Sequence, residues 1–386
     1  MIRPYKRNLL TPGPTPVPEQ VLLAQAKSTI HHRTGEFRAI LKEVSEDLKY
    51  VFQTKNDVLI LASSGTGAME AAVANIAQDG VRFIPVVGGK FGERWLDLCR
   101  VFKTDFDLLE IESGRAPEIK DIEQKLKTSE KHSVVLTTLC ETSTGVVYDI
   151  EGICKMAKKY DAFVVVDAIS GLVADKIKMD DWGVDVLVSG SQKGLMLPPG
   201  LAFISLSDRA SKLIESASMP KYYFDLTKAK KTAAKSDTPW TPAVNMIVAL
   251  KSALEMIKEE GIENIWARHA SLAEITRQAV KSLGLKLFAQ NPSNAVTSVS
   301  MPKEMDSDKM VKFIREEFGI SIAGGQSELK GKIFRIAHLG YINIFDILAG
   351  IAAIEFALHS FGYKFNLGSG ILKLEQEFLK SYKKGE

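Results

Sequence analysis

Apolar residues along this chain follow two alternating rhythms. Between residues 36 and 52, Phe37, Ile40, Leu41, Val44, Leu48 and Val51 recur at the three-and-four spacing of a helix with one buried face. Val58-Leu59-Ile60-Leu61 is apolar without a break, the pattern of a strand buried on both faces. It leads through Ser63-Ser64-Gly65-Thr66-Gly67 into the helix formers Ala68–Asn75. The rhythm repeats with strand Phe83–Val87 before a helix starting near Gly92, and strand Val134–Thr138 before a helix at 149–159. Strands Phe163–Asp167, Val184–Val188 and Leu201–Ser205 follow. Strands apolar on both faces, alternating with helices, predict an α/β domain with a mainly parallel sheet.

The texture changes after residue 243. Two long helices broken at Gly261 fill 243–283, followed by strand (295–300), helix (307–318), strands (320–323 and 332–338) and helix (344–359). This predicts a smaller α+β domain. The chain divides into an N-terminal arm (1–15), a large α/β domain (16–255) and a smaller C-terminal domain (256–386). Residues 11–18, Thr-Pro-Gly-Pro-Thr-Pro-Val-Pro, read as a stiff extended segment, because each proline fixes φ and keeps its predecessor out of the helical region. Lysine-rich Thr227–Lys231 reads as a solvated loop, and 371–383 as a last surface helix.

Composition narrows the function classes. A chain of 386 residues is too long for one small core. Its 50 basic and 47 acidic residues leave a net charge of +3, which argues against an electrostatic nucleic-acid binder. Cys99, Cys140 and Cys154 are widely spaced with no C-x-x-C pair, so neither a disulfide framework nor a cysteine-built metal site is expected, and a reducing cytoplasm fits. The basic start Met1–Leu10 has no apolar stretch of signal-peptide length, and no apolar run approaches a bilayer span, so no membrane partner is expected.

Several polar residues stand where strands end. Lys193, in Ser189-Gly-Ser-Gln-Lys193-Gly194, lies in the loop between two buried strands. It reads either as a solvated lysine or as an amine whose pKa desolvation lowers, fit to bond an aldehyde. Asp167 ends its strand at the edge where ligands of open α/β sheets gather. It reads either as a turn cap or as a partner for a ligand's ring nitrogen. Ser64-Gly65-Thr66-Gly67 opens a helix, either as a simple cap or as an anion cradle. Thr142 is a turn residue or a hydroxyl ligand, and Phe91 a core aromatic or a ring-stacking one. Arg335, inside the apolar strand Ile333–Ala337, is either an internal ion pair or a carboxylate clamp.

Taken together, the motifs resemble the class V branch of fold-type I pyridoxal-phosphate enzymes, the alanine/serine–glyoxylate aminotransferase group. They are Thr11-Pro-Gly-Pro-Thr15, His32-Arg33 with Glu36-Phe37, Ser64–Glu70, Gly89–Arg94, Glu141–Gly145, Val166–Ser170, Ser189–Lys193, Thr238–Pro242 and Phe334–Gly340, in the family's order. The resemblance implies a seven-stranded sheet flanked by helices, a smaller C-terminal domain and pyridoxal 5′-phosphate as cofactor. It implies transfer of an amino group between small amino acids and 2-oxo acids, with sites at a homodimer interface. By the same resemblance Lys193 is the Schiff-base lysine and Asp167 the partner of the pyridine nitrogen. Phe91 stacks on the ring, Thr142 contacts the ring hydroxyl and Ile169 packs behind the ring. Ser64, Gly65, Thr66 and Gln192 hold the phosphate, with Thr241 reaching it from the partner subunit. Arg335 takes the substrate carboxylate and the arm at Pro12-Gly13 covers it.

Three alternatives remain at this stage. A cysteine desulfurase needs a cysteine on a C-terminal loop, and Ala323–Glu328 holds none. An aspartate or phosphoserine aminotransferase needs a second cation, for which Arg33, His32 and His338 are candidates. A non-catalytic role as a subunit of a larger complex, such as a soluble hydrogenase, would not require Lys193, Asp167 and Arg335 together.

Overall fold

The unbroken apolar runs become the strands of one sheet. Strands β1 (Val58–Ala62), β2 (Val81–Val87), β3 (Leu109–Glu110), β4 (His132–Thr138), β5 (Phe163–Asp167), β6 (Val186–Gly190) and β7 (Leu201–Leu206) lie in the order β1-β7-β6-β5-β4-β2-β3. All neighbours are parallel except β7, which runs antiparallel to both β1 and β6. The carboxyl ends of β1, β2, β4, β5 and β6 therefore share one edge. This computed structural model describes residues 6–129 and 131–382. Met1–Tyr5, the start of the basic segment, and Lys383, at the end of the expected last helix, lie outside the described residues.

Both faces of the sheet are covered, which is why its strands read as apolar throughout. Val134, Leu136, Val165, Val186 and Val188 pack with Ala68, Met69 and Ala72 of α2 (Gly65–Ile76). The alternate residues Val135, Val164, Val166 and Leu187 pack on the other face, in one core with Val44 and Leu48 of α1 (Gly35–Phe52). α3 (Lys90–Val101) follows β2. The lysine-rich segment read as a solvated loop is instead a helix, α4 (Leu226–Ala233). The Asp225 side chain caps it by accepting from Lys228 N, and Leu226 and Ala229 anchor its buried side. The lysines hide an amphipathic turn whose spacing is visible in retrospect.

Two helices, α5 (Val244–Glu260) and α6 (Ile262–Ser282), break at Gly261, where φ is +84°, a value glycine adopts freely. Core residues of the large sheet extend to Ile265, whereas Leu272, Ile275 and Ala279 belong to a second core. That core supports an antiparallel sheet of β8 (Lys286–Leu287), β9 (Val296–Ser300), β10 (Ala323–Gly324) and β11 (Ile333–Ala337), ordered β8-β9-β11-β10. α7 (Ser307–Phe318) and α8 (Ile344–Ser360) cover it through Met310, Ile314, Ile351 and Ile354. Short segment Ile320–Ser321 pairs with Asn8–Leu9, fixing the start of the arm to this half of the molecule. Among the described residues, no helix is long and apolar enough to cross a membrane.

The two sheets meet along a polar seam. Val147 N donates to Asn291 O at 2.9 Å and Ser293 N to Gly145 O at 2.9 Å, while Ser293 Oγ donates to buried Asp175. The seam brings the centre of β11 against the segment that follows β4.

Candidate active site

Lys193 lies just beyond β6, at the edge where the parallel strands end, and it is buried rather than solvated. The arm covers it. Nζ donates to Pro12 O at 2.5 Å, and Thr15 binds the lysine's own segment through N to Gln192 O (3.2 Å) and Oγ1 to Lys193 O (3.1 Å). A Cβ on Gly13 would stand 2.4 Å from Nζ, so that glycine is bare because the amine occupies its side-chain space. Burial pulls the amine down to about 8, only partly opposed by nearby Cys140 and Asp167.

Asp167 ends β5, and its Oδ1 accepts from Ile169 N at 2.8 Å. Burial raises its carboxyl to about 6, because the charged form has lost its water. Ile169 presses on the start of α2: a Cβ on Gly65 would come within 2.4 Å of Ile169 Cδ1. Ser64 precedes that helix without capping it through its side chain, and Thr66 lies half-buried in the first turn. Gly67 N donates to Ser64 O at 2.8 Å, so among the described residues the Gly65 and Thr66 amides are the ones open to an incoming acceptor, at the positive end of the helix. Gln192 stands beside the end of β6, its Oε1 buried and, among the described residues, without a hydrogen-bond partner.

Across the edge, half-buried Phe91 sits in the first turn of α3, with the Arg94 guanidinium 5.1 Å from its ring centre. Thr142 is buried after β4, its hydroxyl donating to Cys140 O at 3.3 Å. The Thr142 carbonyl receives Arg335 Nη1 at 2.8 Å, while Arg335 Nε and Nη2 donate to Gly324 O at 3.0 and 2.7 Å. Arg335 is buried and, among the described residues, makes no ion pair, so the internal salt bridge considered for it is absent. Burial lowers its guanidinium to about 10, which leaves it cationic at neutral pH.

Not every candidate converges here. Thr241 is exposed and lines a surface cavity with Ile30, His32 and Met246 that contains no other residue of the expected cofactor set. Arg33 is spent on Asp237 at 2.5 Å. His338 is wholly buried, hydrogen-bonded to Asn294 O and Thr297 Oγ1, and burial lowers it to about 3, so it carries no charge to offer a second acidic group. Sequence reading missed the covering carbonyl of Pro12, the tie made by Thr15, and Glu141.

A buried amine of lowered pKa, a buried carboxylate at a strand end and a helix start without a side-chain cap suit an aldehyde, a ring nitrogen and a phosphate, the three handles of pyridoxal 5′-phosphate. At pH 7 about a tenth of Lys193 is neutral, against a few parts in ten thousand for an ordinary lysine. Reductive trapping of the cofactor-free protein by a small aldehyde should therefore rise roughly tenfold per pH unit below 8 and level off above it. The neutral amine attacks, so the sign is upward with pH. Levelling near 10.5, followed by mass spectrometry at Lys193, would contradict the burial argument.

The family described as Aminotransferase class-V matches residues 8–337. Over 372 residues the chain is 44% identical to the soluble hydrogenase small subunit of a Synechococcus species, covering 95% of this chain and 97% of that protein. It is 35% identical to the L-aspartate–glyoxylate aminotransferase of Paracoccus denitrificans, over 96% of both chains. It is also 35% identical to the serine–glyoxylate aminotransferase of Methylorubrum extorquens, over 96% of this chain and 95% of that one. The crystal structure of ureidoglycine–glyoxylate aminotransferase from Bacillus subtilis superposes with a TM-score of 0.91 at 26% identity, covering 97% of this chain and 98% of the other. The chain thus belongs to the class V aminotransferases, pyridoxal-phosphate enzymes of fold type I.

Proposed function

We propose that this transaminase moves the amino group of a small uncharged amino acid, alanine or serine, to a 2-oxo acid such as glyoxylate or pyruvate, in ping-pong fashion. The observation that carries this reading is Arg335, a buried cation whose partners among the described residues are carbonyls, close enough to Lys193 to lower its amine. It suits one carboxylate; of the residues considered for a second, Arg33 pairs with Asp237, His338 is buried uncharged, and His32 lines the surface cavity beside Thr241.

When bound, the cofactor supplies an aldehyde for the amino group and a ring that takes up the electron pair left at the substrate's Cα. Lys193 tethers the cofactor and, once displaced, carries the Cα proton. Asp167 holds the ring nitrogen protonated, with Ile169 behind the ring and Phe91 across it. Thr142 meets the ring hydroxyl, and Ser64, Gly65, Thr66 and Gln192 hold the phosphate. The arm at Pro12-Gly13 excludes water above the substrate. Exposed Thr241 serves the phosphate of a second copy, so the working unit is a cytoplasmic homodimer.

The test is a panel of half-reactions with alanine, serine, aspartate and phosphoserine, each followed by loss of the bound cofactor's visible absorbance. Alanine or serine should convert the enzyme fully. Rapid conversion by aspartate alone, the donor named for the Paracoccus relative, would overturn the choice of donor. The hydrogenase name belongs to the cyanobacterial relative. Failure of all four donors to convert cofactor-loaded protein would favour a non-catalytic role.

A further inference from the structure

Helix α3 begins after Gly89, which provides no side-chain cap. Its first amides are satisfied from another segment. Ser143 Oγ accepts from Lys90 N at 2.9 Å, and the Glu141 carboxylate accepts from Phe91 N at 3.1 Å and Gly92 N at 2.9 Å. The same carboxylate takes Ser143 N at 3.1 Å and Ser143 Oγ at 2.5 Å. Glu141 is fully buried, and among the described residues it forms no ion pair. Gly89 is bare for this reason: a Cβ there would stand 2.7 Å from Glu141 Cδ and 2.5 Å from Ser143 Oγ.

A serine or aspartate at position 89 would cap α3 locally without burying a distant charge. What the remote cap adds is a tie between two segments that face the ligand. Phe91 hangs from α3. Thr142 lies between the two residues that do the capping, and its carbonyl holds Arg335 Nη1. One network thus joins the aromatic, the hydroxyl and the arginine.

We propose that Glu141 is a positioning residue: its carboxylate sets the Phe91 ring against the cofactor and, through the Thr142 segment, the angle at which Arg335 meets the substrate carboxylate. This rests on the roles given to Phe91 and Arg335 above. In Glu141→Gln an NH2 replaces one acceptor oxygen and confronts the N–H donors of Phe91 and Gly92 or of Ser143.

The experiment compares Glu141→Gln and Ser143→Ala with Phe91→Leu and Arg335→Lys. In cofactor-free Glu141→Gln, hydrogen exchange at the Phe91 and Gly92 amides should quicken roughly tenfold or more, since an acceptor oxygen facing the bound N–H groups becomes a donor. In the loaded enzyme the visible circular dichroism of the cofactor should change, and KM for the amino donor should rise about tenfold, more than kcat falls. Ser143→Ala removes the acceptor of Lys90 N and one donor to Glu141, so it should quicken exchange at the Lys90 amide and shift the dichroism and KM in the same direction, which keeps the test open if Glu141→Gln does not fold. Normal KM and dichroism in both variants, while Phe91→Leu and Arg335→Lys alter them, would overturn the role of Glu141 alone. No change in Phe91→Leu and Arg335→Lys would overturn the site reading beneath it.

Discussion

Lys193→Ala is expected to fold normally, bind no cofactor covalently and lose turnover by roughly 10⁴-fold, the upper range for a positioned acid–base group. Its fold should survive because the arm is fastened largely by backbone contacts. Thr15 binds the carbonyls of Gln192 and Lys193, and Ala337 N donates to Leu10 O at 2.8 Å, none of which needs the amine. The chemistry should not survive, since it is the Lys193 amine that stands close enough to Asp167 and Arg335 to feel both charges. Borohydride reduction followed by mass spectrometry measures the covalent link, and half-reactions with alanine or serine measure turnover. Retained turnover in this variant would sink the assignment of Lys193 both as tether and as proton carrier.

That prediction could not rest on the local sequence around Lys193. A lysine among Ser, Gly and Gln reads as solvated, and only the strands on either side hinted otherwise. The burial comes from Pro12 and Gly13, some 180 positions away, which no local spacing encodes. Asp167 was legible for the opposite reason: an unbroken apolar strand ending in a carboxylate places that carboxylate at the ligand edge whatever follows. The sheet was legible on the same ground, since burial on both faces writes itself into every residue of a strand. Glu141 was hidden because its meaning lies in the amides it binds on α3, 50 positions earlier. The α4 helix was misread because three lysines outweighed a cap and two apolar anchors, Leu226 and Ala229.

Arg335→Lys is expected to lower kcat/KM by about 10² to 10³, mostly through KM for both the amino donor and the oxo acid. A guanidinium has five N–H donors. In Arg335 three serve Gly324 O and Thr142 O, one from each nitrogen, which leaves one on Nη1 and one on Nη2 for an incoming group. Those two donors match in number the two oxygens of a carboxylate. A lysine offers three donors from a single point, so it can hold the buried carbonyls or the substrate, not all of them. Losing two charge-assisted bonds at about 1.5–3 kcal/mol each, partly replaced by the ammonium, gives the stated range. The measurement that isolates the effect is discrimination between alanine and ethylamine, which differ by the carboxylate. If Arg335 binds that group, the preference for alanine should shrink by the same 10² to 10³ in the variant. An unchanged preference with a lower kcat would move Arg335 out of substrate binding and leave it a structural brace between the two sheets.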